Sequence, residues 1–313
     1  MLLGRTANGL FWMNRYIERV ENMARLVDAG QRMALTSPDN PAEEWKSVVM
    51  SAGADFAYRE KHDEFSAERV ADFLLRDITN PSSALSAIET ARNNGRMVRT
   101  ALTRETWESL NGAWIALKSM LARPIDRRDL PRVLDGIKRE TALIRGAFFG
   151  TMLRNEIFDF SQLGAYIERA DNTARILDVK YYILLPSISW VGSALDNAQW
   201  ESILRSVSAH RSYRWVYEAE YKPQNIADFL ILNTRMPRSL AFCARFINEA
   251  LSFRERDYGE RHVCHDTLDQ IMGKLSVPSI SAVFEQGLHE FLTGFIVDNN
   301  RLGAEIAEAY RFD

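Results

Sequence analysis

Two short segments set a carboxylate, an amide and a guanidinium at fixed spacing: Glu18, Asn22 and Arg25, and again Glu168, Asn172 and Arg175. On a helix each trio falls on one stripe, within about 60° of its glutamate, with Arg15 beside the first trio and Ala165 in that place beside the second. A carboxylate tuned by burial works as a general acid or base, and a neighbouring arginine anchors an anionic substrate. On that chemistry Glu18 and Glu168 are the candidate catalytic groups. The same side chains turned towards each other form instead a structural lock, because buried Glu and Arg are tolerated only when paired. Facing water they reduce to helix-stabilising pairs, each worth roughly 0.2–0.5 kcal/mol. An enzyme needs an open cavity reaching these groups; a lock needs them sealed.

Arg92, Arg96 and Arg99 recur at i, i+4 and i+7 with Glu89 one turn earlier, a face suited to a carboxylate, a phosphate or an acidic partner. The matching second-half residues are Asn248, Ser252 and Glu255, so this stripe is not duplicated. His262-Val-Cys264-His265-Asp266 gathers nitrogen and sulfur donors, but no second Cys/His cluster completes a zinc site, and no metal is expected. The third residue beyond Glu18 and Glu168 is Glu21 and Asp171, not the histidine a di-iron bundle requires. Walker, G-x-G-x-x-G and G-x-S-x-G motifs are absent, so no cofactor is expected and the balance leans away from an enzyme. Cys264 has His262 and His265 near it in sequence, which is weak support for a nucleophile. The Tyr213-Arg-Trp215-Val-Tyr217 stretch, preceded by Arg211, reads as a loop offering an aromatic contact patch.

The elements that must carry these residues are helical. Trp12, Tyr16, Val20, Met23 and Val27 keep a 3.6-residue period, as do Ala84, Leu85, Ile88, Ala91, Gly95 and Val98 after a helix-opening Pro81. Ile280 to Tyr310 reads as one long helix, and breaks fall near Ser37–Pro41, Pro124, Pro131, Pro186–Ser189, Pro223 and Pro278. The expected class is all-α, with about a dozen helices.

The chain also repeats itself. Tyr16-Ile-Glu-Arg-Val-Glu-Asn-Met-Ala-Arg25 returns as Tyr166-Ile-Glu-Arg-Ala-Asp-Asn-Thr-Ala-Arg175, 150 residues on. Trp45 and Ser47 return as Trp200 and Ser202 at 155, and Ala71–Leu74 and Pro81 as Ala227–Leu230 and Pro237 at 156. The expected organisation is a single domain, 1–313, made of halves 1–150 and 151–313 packed about a pseudo-two-fold axis. The joint from Phe148 to Phe160 is too apolar for a flexible tether.

Composition narrows the class. In 313 residues, 46% are hydrophobic and 26% charged, which fits a globular chain and excludes disordered and collagen-like classes. A net charge of -3 gives no support to nucleic-acid binding. Two cysteines cannot build a disulfide framework, the N-terminus lacks a secretory pattern, and Tyr181–Val191 is too short to span a membrane. These features point to a cytoplasmic protein. Thirty-two of the 39 basic residues are Arg, the side chain suited to forked pairing with carboxylates.

Leu2-Leu-Gly-Arg5, Leu10-Phe-Trp-Met13, the two Tyr-Ile-Glu-Arg segments, Ala91–Arg99 and Leu102–Asn111 together resemble the bacterial Alpha-E family, an all-helical family named for its Glu-Arg motif. The resemblance runs the length of the chain, with Gly95 departing from an expected Ala. It implies an accessory protein working beside ATP-grasp-type ligases and transglutaminase-like cysteine peptidases, in peptide or amide-bond metabolism. It carries over no catalytic residues.

Overall fold

The computed structural model describes residues 2–36, 41–182, 193–218, 221–277 and 279–312. Among these it contains fifteen α-helices, one 3-10 turn and no strand. The first run comprises α1 (Gly4–Thr36), α2 (Pro41–Ser51), α3 (Asp55–Arg59), α4 (Ala67–Leu75), α5 (Ala84–Met97), a 3-10 turn at Arg99–Ala101, α6 (Arg104–Met120) and α7 (Leu130–Thr151). The second comprises α8 (Glu156–Tyr182), α9 (Ala194–Ser206), α10 (His210–Tyr217), α11 (Pro223–Ile231), α12 (Leu240–Tyr258), α13 (Val263–Leu275), α14 (Ser281–Gln286) and α15 (Leu288–Ala309).

The two Glu-Arg segments lie on α1 and α8, which pack along each other at the centre. Both helices are buried on nearly every face, so polar side chains on them must find partners inside the protein. Their backbones meet at Gly164, where a Cβ would stand 2.1 Å from the carbonyl oxygen of Phe11. The shorter helices wrap this pair: α2, α5, α7 and α9 contact α1, while α2, α12 and α15 contact α8. Thus α2 and α9 each touch the long helix of the other half as well as their own.

Local chemistry explains the boundaries. Ser83 and Ser239 cap α5 and α12, each accepting a backbone N–H three residues on. Pro81 and Pro237 therefore sit in the preceding turns rather than opening the helices. Gly95 permits close packing, since a Cβ there would stand 2.7 Å from Leu110 Cδ2 and 3.1 Å from Met13 Sδ. Pro131 and Pro223 occupy first turns, where no donor is missed. The expected single helix from Ile280 is divided by Gly287, whose φ of 102° only glycine adopts readily. At the joint between halves, the Phe148 and Phe158 rings stack at 5.3 Å.

The breaks expected at 37–40, 186–189 and 278, and nearly all of the apolar Tyr181–Val191 stretch, lie outside the described residues. Among those described, no helix is long and apolar enough to cross a membrane.

Candidate functional site

The duplicated Glu-Arg pairs exchange partners across α1 and α8. Glu18 accepts from Arg169 Nη2 at 2.5 Å and Nε at 3.2 Å, while Glu168 accepts from Arg19 Nε at 2.6 Å and Nη2 at 3.0 Å. Two charged forks thus tie one copy of the motif to the other. A second exchange involves the last arginine of each copy. Arg25 pairs with Glu21 at 2.6 Å and donates to the Ser206 carbonyl at 2.5 Å, at the end of α9. Arg175 pairs with Asp171 at 2.6 Å and donates to the Ser51 carbonyl at 3.2 Å, at the end of α2. Each guanidinium therefore meets the negative end of a helix from the opposite half.

The trios named from sequence do lie on this inner seam, but their members do not bond in series. The missing partners are Arg19, Glu21, Arg169 and Asp171. Their signal was present, because all four also recur at the spacing of 150 residues.

Charge saturation decides what the carboxylates can do. Burial pushes the Glu18 carboxyl up, yet Arg169, Arg145 and Arg238 outweigh it and hold it down at about 2. Glu21 is held well below the usual range against the same burial by Arg238, Arg25 and Arg145. Burial also opposes ionisation of Glu168, and Arg19 and Arg15 reverse the balance. At neutral pH neither motif glutamate holds a proton to donate, and guanidinium groups occupy their oxygens. Arg238 bears a cost: burial and the neighbouring Arg25 pull it down to about 9, so it stays charged at neutral pH but less comfortably.

The two poles are finished differently. Arg145 and Arg238 close the Glu18 pole, the latter 2.5 Å from Glu21, and the adjoining crevice offers only about 10 Å³. At the Glu168 pole Arg15 adds a bond at 3.0 Å, but Ser82 holds the position matching Arg238. There a polar pocket of about 140 Å³ remains, lined by Arg19, Ser82, Glu168, Asp171, Asn172 and Arg175 among others. Asn172, 2% exposed, has neither amide atom hydrogen-bonded, and Asn22 Oδ1 is likewise unpaired although its Nδ2 donates to the Glu168 carbonyl.

The profile of a family described as a predicted alpha-helical domain with a conserved ER motif matches residues 2–310. The chain belongs to the Alpha-E family. The reciprocal forks of this Alpha-E chain are made by the Glu-Arg pairs of the two Tyr-Ile-Glu-Arg segments, where α1 meets α8. Uncharacterized proteins of Mycobacterium bovis and Mycobacterium tuberculosis are similar, at 24% identity over 257 residues covering 76% of this chain. This Alpha-E chain spans 28% of the length of those relatives. No solved structure matches it.

The other candidates separate. Arg92, Arg96 and Arg99 do not form one helical stripe, because α5 ends at Met97 and Arg99 belongs to the 3-10 turn. Arg92 donates to Asn111 at 2.8 Å and lies 4.1 Å over the Trp114 ring, while Arg99 lies 5.6 Å over Trp107. Arg96 is exposed. The aromatic segment is helical, not a loop: it is α10, with Tyr213 buried and Trp215 79% exposed. His265 accepts from the backbone N–H of His262 at the start of α13, and burial pushes the Cys264 thiol up to about 12, away from the reactive thiolate. Among the described residues no group of three His, Cys, Asp or Glu side chains is placed to hold a metal ion.

Proposed function

We propose that this Alpha-E chain is a cytoplasmic accessory protein, a helical scaffold whose halves are related by a pseudo-two-fold axis through the Glu-Arg forks. On this reading it works with an ATP-grasp-type ligase and a transglutaminase-like peptidase in peptide or amide-bond metabolism. The observation that carries the scaffold reading is saturation: both motif carboxylates are buried, ionised and forked by arginine. Groups so engaged suit a lock better than proton transfer. The match to 28% of much longer relatives supports a module that operates beside other polypeptide. Arg96 and the Trp215 face supply exposed contact chemistry.

The test is to mix the purified chain with the ligase and peptidase of its source cell and follow both complex formation and ligase turnover. A complex or a changed turnover is expected, with Arg96→Ala/Arg99→Ala weakening it. Absence of both effects sinks the accessory reading.

A second reading, an enzyme using the seam as acid/base and anion pocket, is favoured by one observation: the unpaired Asn172 amide beside the open Glu168-pole pocket. Arg15, Arg19 and Arg175 would there face the carboxylate of a small peptide or amino-acid-derived substrate. Glu18→Gln and Glu168→Gln discriminate. A folded protein that has lost catalysis supports the enzyme, whereas a destabilised one supports the lock.

A further inference from the structure

Away from the seam, the end of α7, the start of α8 and α12 enclose a cavity of about 840 Å³. Its floor is an ion pair that the first half lacks. Asp159 and Arg254 correspond, at the spacings of the repeat, to Gly9 and Val98. Gly9 and Val98 pack so closely that a Cβ on Gly9 would stand 2.4 Å from Val98 Cγ1. The fold therefore closes this corner with apolar contact in one half and opens it onto charge in the other. Stability alone does not require the exchange, because a buried ion pair rarely improves on well-packed apolar groups.

The charges are unbalanced in a way that indicates a cation. Arg254, 3% exposed, meets Asp159 at 2.8 Å and Asp257 at 2.6 Å, with Glu156 at 3.7 Å. Glu249 also lines the cavity. Four carboxylates, Glu156, Asp159, Glu249 and Asp257, thus line the cavity against two guanidinium groups. Burial, opposed by Arg254 and only slightly aided by Asp257 and Glu249, lifts the Asp159 carboxyl to about 6. The other lining arginine, Arg154, donates to the Met152 and Phe149 carbonyls and lies 3.9 Å over the Phe158 ring. Partly exposed Phe149 and Phe253 add aromatic wall. One donor is left over: Nε of Arg254 is buried and bonds nothing. Glu156 already accepts from the Leu2 N–H and the Tyr258 hydroxyl. An ammonium would therefore be met by the exposed Glu249 and Asp257, an adjacent carbonyl oxygen would satisfy Nε, and an apolar side chain would cover the rings.

We propose that this cavity binds a primary ammonium ligand carrying a neighbouring carbonyl, as at the amino end of a peptide. The assignment is independent of the accessory reading, since it concerns a different part of the molecule.

Calorimetric titration of the intact chain with L-phenylalaninamide tests it, beside the N-acetyl derivative, which loses the charge, and phenethylamine, which loses the carbonyl. Phenylalaninamide is expected to bind saturably, with each altered probe weaker by about tenfold. Glu249→Gln/Asp257→Asn changes two exposed positions, so the protein should unfold at the unchanged temperature while losing about tenfold in affinity. The proposal is overturned if the parent probe does not saturate by about 10 mM, if either altered probe binds as tightly, or if the double variant binds like the wild type.

Discussion

The Glu18 and Glu168 poles carry similar segments and make the same fork, yet they are closed by different means. At Glu18 the closing charges arrive from outside the duplicated helix, Arg145 from α7 and Arg238 from the turn before α12. At Glu168 the closing charge is Arg15, from one helical turn N-terminal to the fork, whose counterpart at the other pole is Ala165. The fork is thus what the packing of α1 on α8 demands, while the closure is free to diverge. One pole became an overfilled cationic cluster and the other kept a pocket beside unpaired asparagine.

Removing the carboxylates should expose that inequality most strongly. Glu18→Ala leaves Arg169, Arg145 and Arg238 around an empty site, and a loss of about 3–5 kcal/mol is expected. Glu168→Ala should cost less, about 2–3 kcal/mol, because it strands two guanidinium groups rather than three, Arg15 and Arg19, and Arg19 at 20% exposed can turn to water. Urea unfolding at neutral pH measures both. Equal losses would erase the distinction between the poles.

Acid should loosen the same seam by protonating its carboxylates. The Glu18 carboxyl is lowered in the folded protein from 4.5 to about 2, so its contribution is fully present above 4.5 and disappears as pH falls through that interval. Glu168 is lowered too and acts in the same sense. Thermal unfolding followed from pH 6 down to pH 2 should therefore show a steep fall in the wild type and a flatter one in Glu18→Gln. A Glu18→Gln profile as steep as that of the wild type would remove Glu18 as its source.

Much of this was legible in the sequence, and the failures are instructive. Helical period and the duplicated Tyr-Ile-Glu-Arg segment give the all-α class and point to the seam. Pairing was not legible, because a helical wheel groups residues along one helix while the actual bonds cross between two. Glu18 therefore meets Arg169 rather than Asn22. The arginine stripe failed for a local reason, since α5 stops at Met97 before the period is complete. The last helix was overextended because Gly287 reads as tolerable in a helix until its positive φ is seen. The Asp159–Arg254 pair lies 95 residues apart in sequence and appears only once α8 meets α12.

Exchanging the closing residues gives the finer tests. Arg238→Ser removes a cation that burial and Arg25 disfavour and whose Nη1 lacks a partner. Glu21 keeps Arg25, Arg145 and Thr141. The expected cost is about 1–2 kcal/mol, well below that of Glu18→Ala. A loss as large as the carboxylate deletion would make Arg238 a principal support of that pole.

The smallest effect is expected from the reverse change. Ser82→Arg places a guanidinium at the position matching Arg238, beside a pocket of about 140 Å³ that already contains Asp171 and the unpaired Asn172 amide. The new side chain should occupy that space, bond Asp171, and give Asn172 Oδ1 a donor. Gain from those bonds opposes repulsion from Arg175 and the cost of ordering a long side chain, so the net change in urea unfolding should stay within about 1 kcal/mol. A crystal structure of the variant would show whether the pocket is filled. Destabilisation beyond about 2 kcal/mol would mean that the Glu168 pole cannot accept the closure its counterpart uses, and that its pocket is shaped for something other than an arginine.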